Sequence, residues 1–280
     1  MKATPTPFFL DTPHGRLFAV HHAPDDRGET WGQVLVVPAF NEEMNRCRSM
    51  VTLQAQALAA IGLGTLVLDL HGTGESDGEY GDGRWDIWLD DIGAAIRWLD
   101  GQAGACVALL GIRLGALLAA DVLKDRPSSC RGLIVWQPVI DGKSYFTQFL
   151  RMRLAANMDR TDVPKETTAD MRNRLAAGEC VEVAGYSVHP ELAGAIEKAR
   201  LADLAAPEEV ALAWFEKSAA AEAELSPASQ NVLAAWRIPG RRVHVELFDG
   251  AAFWALHDRV TVPKLIEATA AWAAALRDTP

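Results

Sequence analysis

The sequence predicts an α/β protein in which a mostly parallel central sheet is covered by helices on both faces. First, short apolar segments alternate with helix-like segments from residue 31 to residue 142, and again after residue 206. Second, the apolar segments show no polar alternation, which is typical of strands buried on both sides. Third, 280 residues with 49% hydrophobic and 23% charged side chains suffice to bury a sizeable core.

The predicted elements follow from the length and period of each segment. Short apolar runs bounded by glycine, proline or polar residues predict strands, and longer runs with helical spacing of apolar residues predict helices. The predicted strands are two within 8–22 around a turn at 13–15, then 31–38, 65–70, 107–110, 133–136, 209–215 and 243–248. The predicted helices of this part of the chain are 50–61, 86–99, 116–123, 227–236 and 262–276.

The alternation of strands and helices breaks after Gly142. Residues 143–205 hold three helix-like segments around one short predicted strand at 180–184. We therefore expect a core formed by 1–142 and 206–280, with 143–205 inserted as a helical lid. The helix-like segments of this insertion are 145–157, 166–177 and 190–199.

Charge and cysteine usage exclude several classes of partner. The formal net charge of −10 disfavours nucleic acid and anionic membranes, since both bind basic surfaces. Four scattered cysteines without a C-x-x-C pair favour a reducing compartment. The polar N-terminus and the lack of a membrane-length apolar run predict a cytoplasmic protein. A small-molecule ligand or acyl substrate is expected under the lid. No metal-ligand spacing or phosphate-binding glycine loop occurs, so we expect neither a metal nor a cofactor. The oligomeric state stays open.

The segment 107–119 contains the most specific motif. An apolar strand leads into Gly111-Ile112-Arg113-Leu114-Gly115, and a helix-like segment follows. This order is the frame of the G-x-S-x-G nucleophile elbow, in which a serine lies on a strained turn between strand and helix. Arg113 takes the place of that serine. A guanidinium stays protonated and has no usable lone pair, so it cannot attack a carbonyl group.

Three motifs together resemble the α/β-hydrolase fold over nearly the whole chain. They are the elbow frame, the strand-ending loop at 38–41 and the D-x-x-G-x-G-x-S turn at 69–78. A narrower set resembles the bacterial family called exosortase A system-associated hydrolase 2, which implies that arginine in the elbow is a family feature. It also implies a link to exopolysaccharide and protein-sorting loci, but no established reaction. The narrower set comprises 38–46, 83–88, 111–118, 182–186 and 253–254.

The other two positions of a serine-hydrolase triad are also altered. The histidine is expected after the last strand, where 249–254 contains none. His257 follows a few residues later and is either a displaced base or a surface histidine. The acid is expected after the strand 209–215, where Glu216 is either a site residue or a solvated strand end. Cys47 is a nucleophile in principle, although a packed thiol is the more common case.

Arg113 at a helix N-terminus requires a compensating negative charge, because the helix dipole is positive there. Glu42 and Glu43 are the nearest candidates, in the loop where hydrolases build their oxyanion hole. Three interpretations stay open: an ion pair that only shapes the site, an Arg113 that binds a ligand anion, and a glutamate that activates water while Arg113 stabilises the oxyanion. Asn45 and Arg46 either extend this site or cap the next helix.

Further ligand contacts are expected at the sheet edge and under the lid. Edge positions are favoured because ligands of open α/β folds bind at the carboxyl ends of strands. Two function classes follow: a serine-free hydrolase of an ester, thioester or amide, and a catalytically retired hydrolase that holds a small anionic ligand or a partner. The candidate contacts are Phe40, Asn41, His71, Leu114, Trp136 and Trp254.

Overall fold

The computed structural model describes residues 5–24, 30–125, 129–158, 165–217 and 224–278. Eight strands form one sheet in the order β1-β2-β4-β3-β5-β6-β9-β10, and β7 and β8 form a separate hairpin. The strands are β1 Pro5–Thr12, β2 Gly15–His22, β3 Gly32–Val37, β4 Leu63–Leu68, β5 Cys106–Ile112, β6 Gly132–Trp136, β7 Val181–Val183, β8 Tyr186–Val188, β9 Ala211–Lys217 and β10 Val243–Phe248.

The sheet is parallel from β4 to β10 and antiparallel only where β2 joins β1 and β4. Every residue of β3, β5 and β6 is buried, as expected for central strands with helices on both faces. The helices are α1 Glu42–Ala59, α2 Trp85–Asp100, α3 Gly115–Asp125, α4 Gly142–Ala156, α5 Thr168–Ala176, α6 Pro190–Lys198, α7 Pro227–Ala235 and α8 Pro263–Ala274.

Two hydrophobic clusters hold the sheet between its helix layers. One cluster joins the sheet to α1 and α8, and the other joins it to α2, α3 and α7. The α/β fold with a mostly parallel sheet covered on both sides is therefore confirmed. No helix in the described ranges is long and apolar enough to cross a membrane.

Several predicted boundaries are wrong, and one error bears on the site. The first helix was expected at 50–61, but α1 begins at Glu42. Its first turn has polar and partly exposed residues, so the apolar period used for prediction starts only one to two turns later. β4 lies two residues before the predicted strand, and β9 lies two residues after its predicted position. The short strand predicted at 180–184 is half of a hairpin, because Tyr186–Val188 returns antiparallel to it.

The helical segment, defined here as residues 142–206, lies between β6 and β9. Phe146, Phe149 and Leu150 of α4 are buried in the same cluster as Leu114 and Leu118 at the start of α3. This shared core fixes α4 next to the carboxyl ends of the central strands. The helical segment therefore packs as part of the main core along α4.

Candidate functional site

The turn between β5 and α3 keeps the strained backbone of an elbow although its central residue is arginine. Arg113 has φ 55°, a left-handed conformation that side chains rarely adopt. Its N–H donates to the Trp136 carbonyl on β6 at 3.1 Å. A Cβ on Gly115 would lie 2.3 Å from the Val37 carbonyl oxygen, and one on Gly111 would lie 2.5 Å from the Ala116 Cα. Both glycines are therefore required by the close approach of α3 to the sheet.

The Arg113 side chain forms a partly buried ion pair with Glu43. Arg113 Nε donates to Glu43 Oε1 at 3.1 Å, and Nη1 donates to the Gln137 carbonyl at 3.0 Å. The Tyr145 hydroxyl donates to Glu43 Oε2 at 2.8 Å. The side chains of Arg113 and Glu43 are 15% and 19% exposed, so the pair is largely withdrawn from water yet reachable. Of the two glutamates considered, Glu43 is the one that compensates the arginine.

Two aromatic rings flank the guanidinium. Arg113 Cζ lies 5.6 Å from the centroid of Tyr145 and 5.4 Å from that of Trp254. Cation–π contacts of this kind stabilise the charged form when water is scarce. A cation at the N-terminus of α3 costs ~0.3–1 kcal/mol against the helix dipole, and the Glu43 carboxylate offsets that cost. Burial, reinforced by Glu43, holds the pKa of Tyr145 well above its usual value, so its hydroxyl stays a donor.

Glu42 is bound to the β7–β8 hairpin instead of to Arg113. The Tyr186 hydroxyl donates to Glu42 Oε1 at 2.6 Å. Burial, together with this hydrogen bond, raises the pKa of Tyr186 to about 12. The rings of Tyr186 and Tyr80 meet edge to face at 5.0 Å, and the Tyr80 hydroxyl donates to Asn41 Oδ1. The hairpin tip is thereby attached to the loop before α1.

A cavity of about 270 Å³ opens beside the ion pair, and we call it the Arg113 cavity. Its walls are largely aromatic and apolar and include four charged side chains. Seven predicted site residues line it: Phe40, Asn41, Glu42, Glu43, Arg46, Arg113 and Trp254. Arg46 also reaches the Ala255 carbonyl through Nη1 at 3.1 Å. The remaining walls come from the helical segment and the last loop: Tyr145, Gln148, Phe149, Met152, Ala184, Tyr186 and Ala255.

A second cavity of about 310 Å³ adjoins the first, and we call it the Trp88 cavity. Leu114 and the exposed Asn45, both predicted contacts, lie in its wall. Other walls come from α2, α3 and the loop after β4. Phe40, Asn41 and Tyr186 line both cavities and form the partition between them.

His257 and Glu216 do not join Arg113, which corrects their assignment as catalytic candidates. His257 is exposed and lines a shallow groove with Asn45 and Arg46 outside the Arg113 cavity. Glu216 is buried and accepts hydrogen bonds from Trp214 Nε1 at 3.0 Å and the Ser229 hydroxyl at 2.5 Å. Its carboxylate therefore attaches β9 to the start of α7. Neither residue has the placement that a triad base or acid requires.

His71 and Trp136 are also corrected as ligand contacts, because neither lines either cavity. His71 packs under its own loop, where a Cβ on Gly78 would lie 2.5 Å from its Nε2. Burial lowers the pKa of His71. Trp136 is fully buried and donates from Nε1 to Thr269 Oγ1 of α8 at 3.0 Å. Trp136 is enclosed by α8 and His71 by the loop that follows it, so both side chains pack inside the protein.

Other candidate chemistries find no support in the described ranges. Cys47 is buried in α1, and burial raises the pKa of its thiol, which removes the thiolate needed for attack. No group of three histidine, cysteine or carboxylate side chains within those ranges is placed to hold a metal ion.

Sequence reasoning missed the residues that complete the ion-pair network. Tyr145, Tyr80, Tyr186 and the Gln137 carbonyl all contact predicted site residues but come from separate segments. Only one signal was available: the tyrosine at 186 lies in a motif shared with the family that the chain resembles. Tyrosine at 145 lies at an ordinary helix start and carries no such signal.

Comparison with known proteins places these features in a family context. The family model for "Serine aminopeptidase, S33" matches residues 28–196, which is more than half of the chain. A search of curated protein sequences gave no significant match.

Solved structures with similar folds include three bacterial proteins. Est1E from Butyrivibrio proteoclasticus, solved with ferulic acid bound, has a TM-score of 0.68 and 16% identity over 96% of this chain and 98% of its own. A highly thermostable carboxyl esterase from Bacillus coagulans in complex with glycerol has a TM-score of 0.66 and 14% identity over 99% of this chain and 99% of its own. An α/β serine hydrolase without a lid from Xanthomonas campestris has a TM-score of 0.59 and 15% identity over 100% of this chain and 97% of its own. At these identities the likeness shows the fold alone.

Proposed function

This chain belongs to the serine aminopeptidase S33 family, and we propose that it binds a small acyl or anionic ligand at Arg113 in place of serine catalysis. The observation that carries the proposal is that the Arg113 guanidinium is only partly hydrogen-bonded within the protein. Nε and Nη1 of Arg113 are bonded within the protein, whereas Nη2 makes no hydrogen bond to the described residues. Because Arg113 also lines the cavity, Nη2 remains to bind a ligand oxygen.

The surrounding charges favour a monoanion or a carbonyl oxygen over a phosphate. The Arg113 cavity contains two cationic side chains, Arg113 and Arg46, and two carboxylates, Glu42 and Glu43. Their formal charges cancel, so a doubly charged ligand would meet as much repulsion as attraction. The aromatic and apolar remainder of the wall suits the hydrocarbon part of an acyl compound. The ligand class is therefore a carboxylic acid, ester, thioester or amide with an apolar body.

A second candidate function is hydrolysis of such a compound without a serine. The observation that favours it is Glu43 in the cavity wall, beside a cation able to stabilise an oxyanion. Each Glu43 oxygen accepts one hydrogen bond within the protein and retains a lone pair for water. Similar folds occur in esterases, which supports this candidate by analogy.

Hydrolysis of p-nitrophenyl esters and acyl thioesters of several chain lengths separates the two candidates. The parent is compared with Arg113→Ala, Arg113→Ser and Glu43→Gln. If the protein only binds its ligand, we expect no turnover by the parent. Activity would then arise in Arg113→Ser and in no other variant. Turnover by the parent that disappears in Glu43→Gln would replace the binding proposal by serine-free hydrolysis. A fluorophosphonate probe should label no serine of the parent, and labelling would contradict both candidates.

Binding itself is measured by calorimetry with butanoate and with butanol, which lacks the carboxylate. We expect butanoate to bind more tightly than the alcohol. The double variant Arg113→Met/Glu43→Gln removes both charges together and keeps an acceptor for the Tyr145 hydroxyl at position 43. It should lose butanoate affinity by at least about tenfold, the effect of one charge-assisted hydrogen bond. Equal binding by parent and double variant would overturn the proposal.

We further propose that the helical segment acts as a lid and that the protein serves exopolysaccharide or protein sorting in the cytoplasm. Support for the lid comes from Tyr145, Phe149, Met152 and Tyr186, which cover the Arg113 cavity. Support for the cellular role comes from the narrower family resemblance alone. Deletion of the gene should reduce exopolysaccharide export or protein sorting, and the Arg113→Met/Glu43→Gln variant should not restore it. Full restoration by that variant would separate the cellular role from the Arg113 site.

A further inference from the structure

Two adjoining cavities with different electrostatic character share a single partition. The Arg113 cavity is lined by four charged side chains, while Glu79 is the single charged residue among the described residues in the wall of the Trp88 cavity. The first cavity offers Arg113 Nη2 as a cationic donor to an anionic or carbonyl oxygen, whereas such an oxygen would meet a carboxylate and no cation in the second. The apolar walls of the second cavity include Phe40, Leu70, Tyr80, Trp88, Leu114 and Leu118.

The partition itself contains an unused hydrogen-bond donor. Asn41 lines both cavities and is only 7% exposed, yet its Nδ2 has no partner among the described residues. Tyr80 binds the other end of the amide at Oδ1, which orients Nδ2 away from that contact. Asn41 also has φ 55° and ψ −131°, a costly conformation for a residue other than glycine. An unsatisfied buried amide on a strained backbone indicates a ligand acceptor oxygen at this point.

We propose that one elongated ligand occupies both cavities, with its acidic or carbonyl end at Arg113 and an apolar chain in the Trp88 cavity. The chain passes Tyr186 and Asn41, and Asn41 Nδ2 donates to an oxygen of the ligand at the partition. This inference rests on the proposed binding function and specifies its ligand class: a medium-chain or arylalkyl acyl compound. A compact acid that fills only the Arg113 cavity would leave both the donor and the second cavity unused.

The test uses straight-chain carboxylates from butanoate to decanoate with the full-length protein. Calorimetry should show affinity rising about fourfold per methylene over the members long enough to enter the Trp88 cavity, until the cavity is filled. Leu118→Ala enlarges that cavity and should move the optimum to a longer chain. Leu117→Ala is the matched control: Leu117 is equally buried on α3 but lines neither cavity, so the optimum should stay in place.

A direct readout comes from 19F spectra of protein labelled with 5-fluorotryptophan. Trp254 lines only the Arg113 cavity and Trp88 only the Trp88 cavity, and Trp→Phe variants assign their signals. Butanoate should shift the Trp254 signal alone, whereas decanoate should shift both.

The outcomes separate this inference from the proposed function. Decanoate that shifts Trp254 alone, with affinity independent of chain length, would overturn the two-cavity site and leave butanoate binding at Arg113 intact. Equal shifts of the optimum in Leu118→Ala and Leu117→Ala would also overturn it. Acids of every length that bind the Arg113→Met/Glu43→Gln variant as well as the parent would instead overturn the binding function itself.

Discussion

The β5–α3 turn, the end of β9 and the segment after β10 hold three predicted site residues, Arg113, Glu216 and His257, and give them different surroundings. At the turn, the backbone keeps its strained elbow and the side chain faces a cavity. Near the end of β9, Glu216 is buried and bonded to Ser229 of α7. After β10, the histidine is absent from the loop, and His257 beyond it is exposed.

The contrast shows that backbone and side-chain constraints are independent. The elbow geometry is imposed by the packing of α3 against β3, which glycines 111 and 115 permit. That packing stabilises the fold whatever residue lies at position 113. The turn therefore places Arg113 in a cavity wall, whereas Glu216 is bonded inside the protein and His257 faces solvent.

The largest effect is expected from Gly115→Ala, which challenges the claim that packing fixes the elbow. The added Cβ would lie 2.3 Å from the Val37 carbonyl oxygen and 2.4 Å from that of Pro38. These backbone atoms cannot withdraw without disturbing β3, so we expect a loss of about 3 kcal/mol in urea denaturation. Gly194→Ala is the control, because its Cβ meets nothing within 4 Å, and it should stabilise α6 by up to about 1 kcal/mol. Unchanged stability of Gly115→Ala would contradict the claim that the packing of α3 against β3 fixes the elbow.

Glu216→Ala tests whether the acid position is now structural. It leaves the Trp214 indole and the Ser229 hydroxyl without their buried acceptor, which should cost about 1–3 kcal/mol of unfolding free energy. Butanoate affinity should not change, because Glu216 does not line the Arg113 cavity. Weaker ligand binding at unchanged stability would return Glu216 to the site.

A double-mutant cycle on Arg113→Met and Glu43→Gln measures the pair at the elbow. Since both side chains are partly exposed, we expect a coupling free energy of about 1 kcal/mol, below that of a fully buried pair. Urea denaturation of the parent, both single variants and the double variant gives this value. Additive effects would show that the two charges do not stabilise one another. Another group would then have to compensate the charge of Arg113.

The smallest effect is expected from His257→Ala, which tests whether the histidine after β10 contributes to stability or to binding. An exposed side chain outside the cavity should change stability by less than about 0.5 kcal/mol. Butanoate affinity and its pH dependence should match those of the parent. Weaker butanoate binding by His257→Ala at unchanged stability would return His257 to the site.

The sequence allowed the fold and about half of the site to be predicted. The alternation of apolar strands with helices and the elbow frame depend on residues close together in the chain. An ion pair between Arg113 and Glu42 or Glu43 was one of three interpretations of the sequence, and it rested on the helix dipole and on the place of residues 41–46 beside the elbow. The start of α1 was not, since its polar first turn has no apolar period.

What the sequence alone determined is the alternation of buried strands with helices and the arginine at the centre of the elbow frame. Only the tertiary structure decided that Glu43 and not Glu42 binds Arg113, and that Tyr145 and Tyr186 complete the two contacts. It also decided that two cavities meet at Asn41. The physical reason is distance along the chain. Local patterns record secondary structure, whereas these contacts join residues about 70 to 144 positions apart, and only packing brings them together.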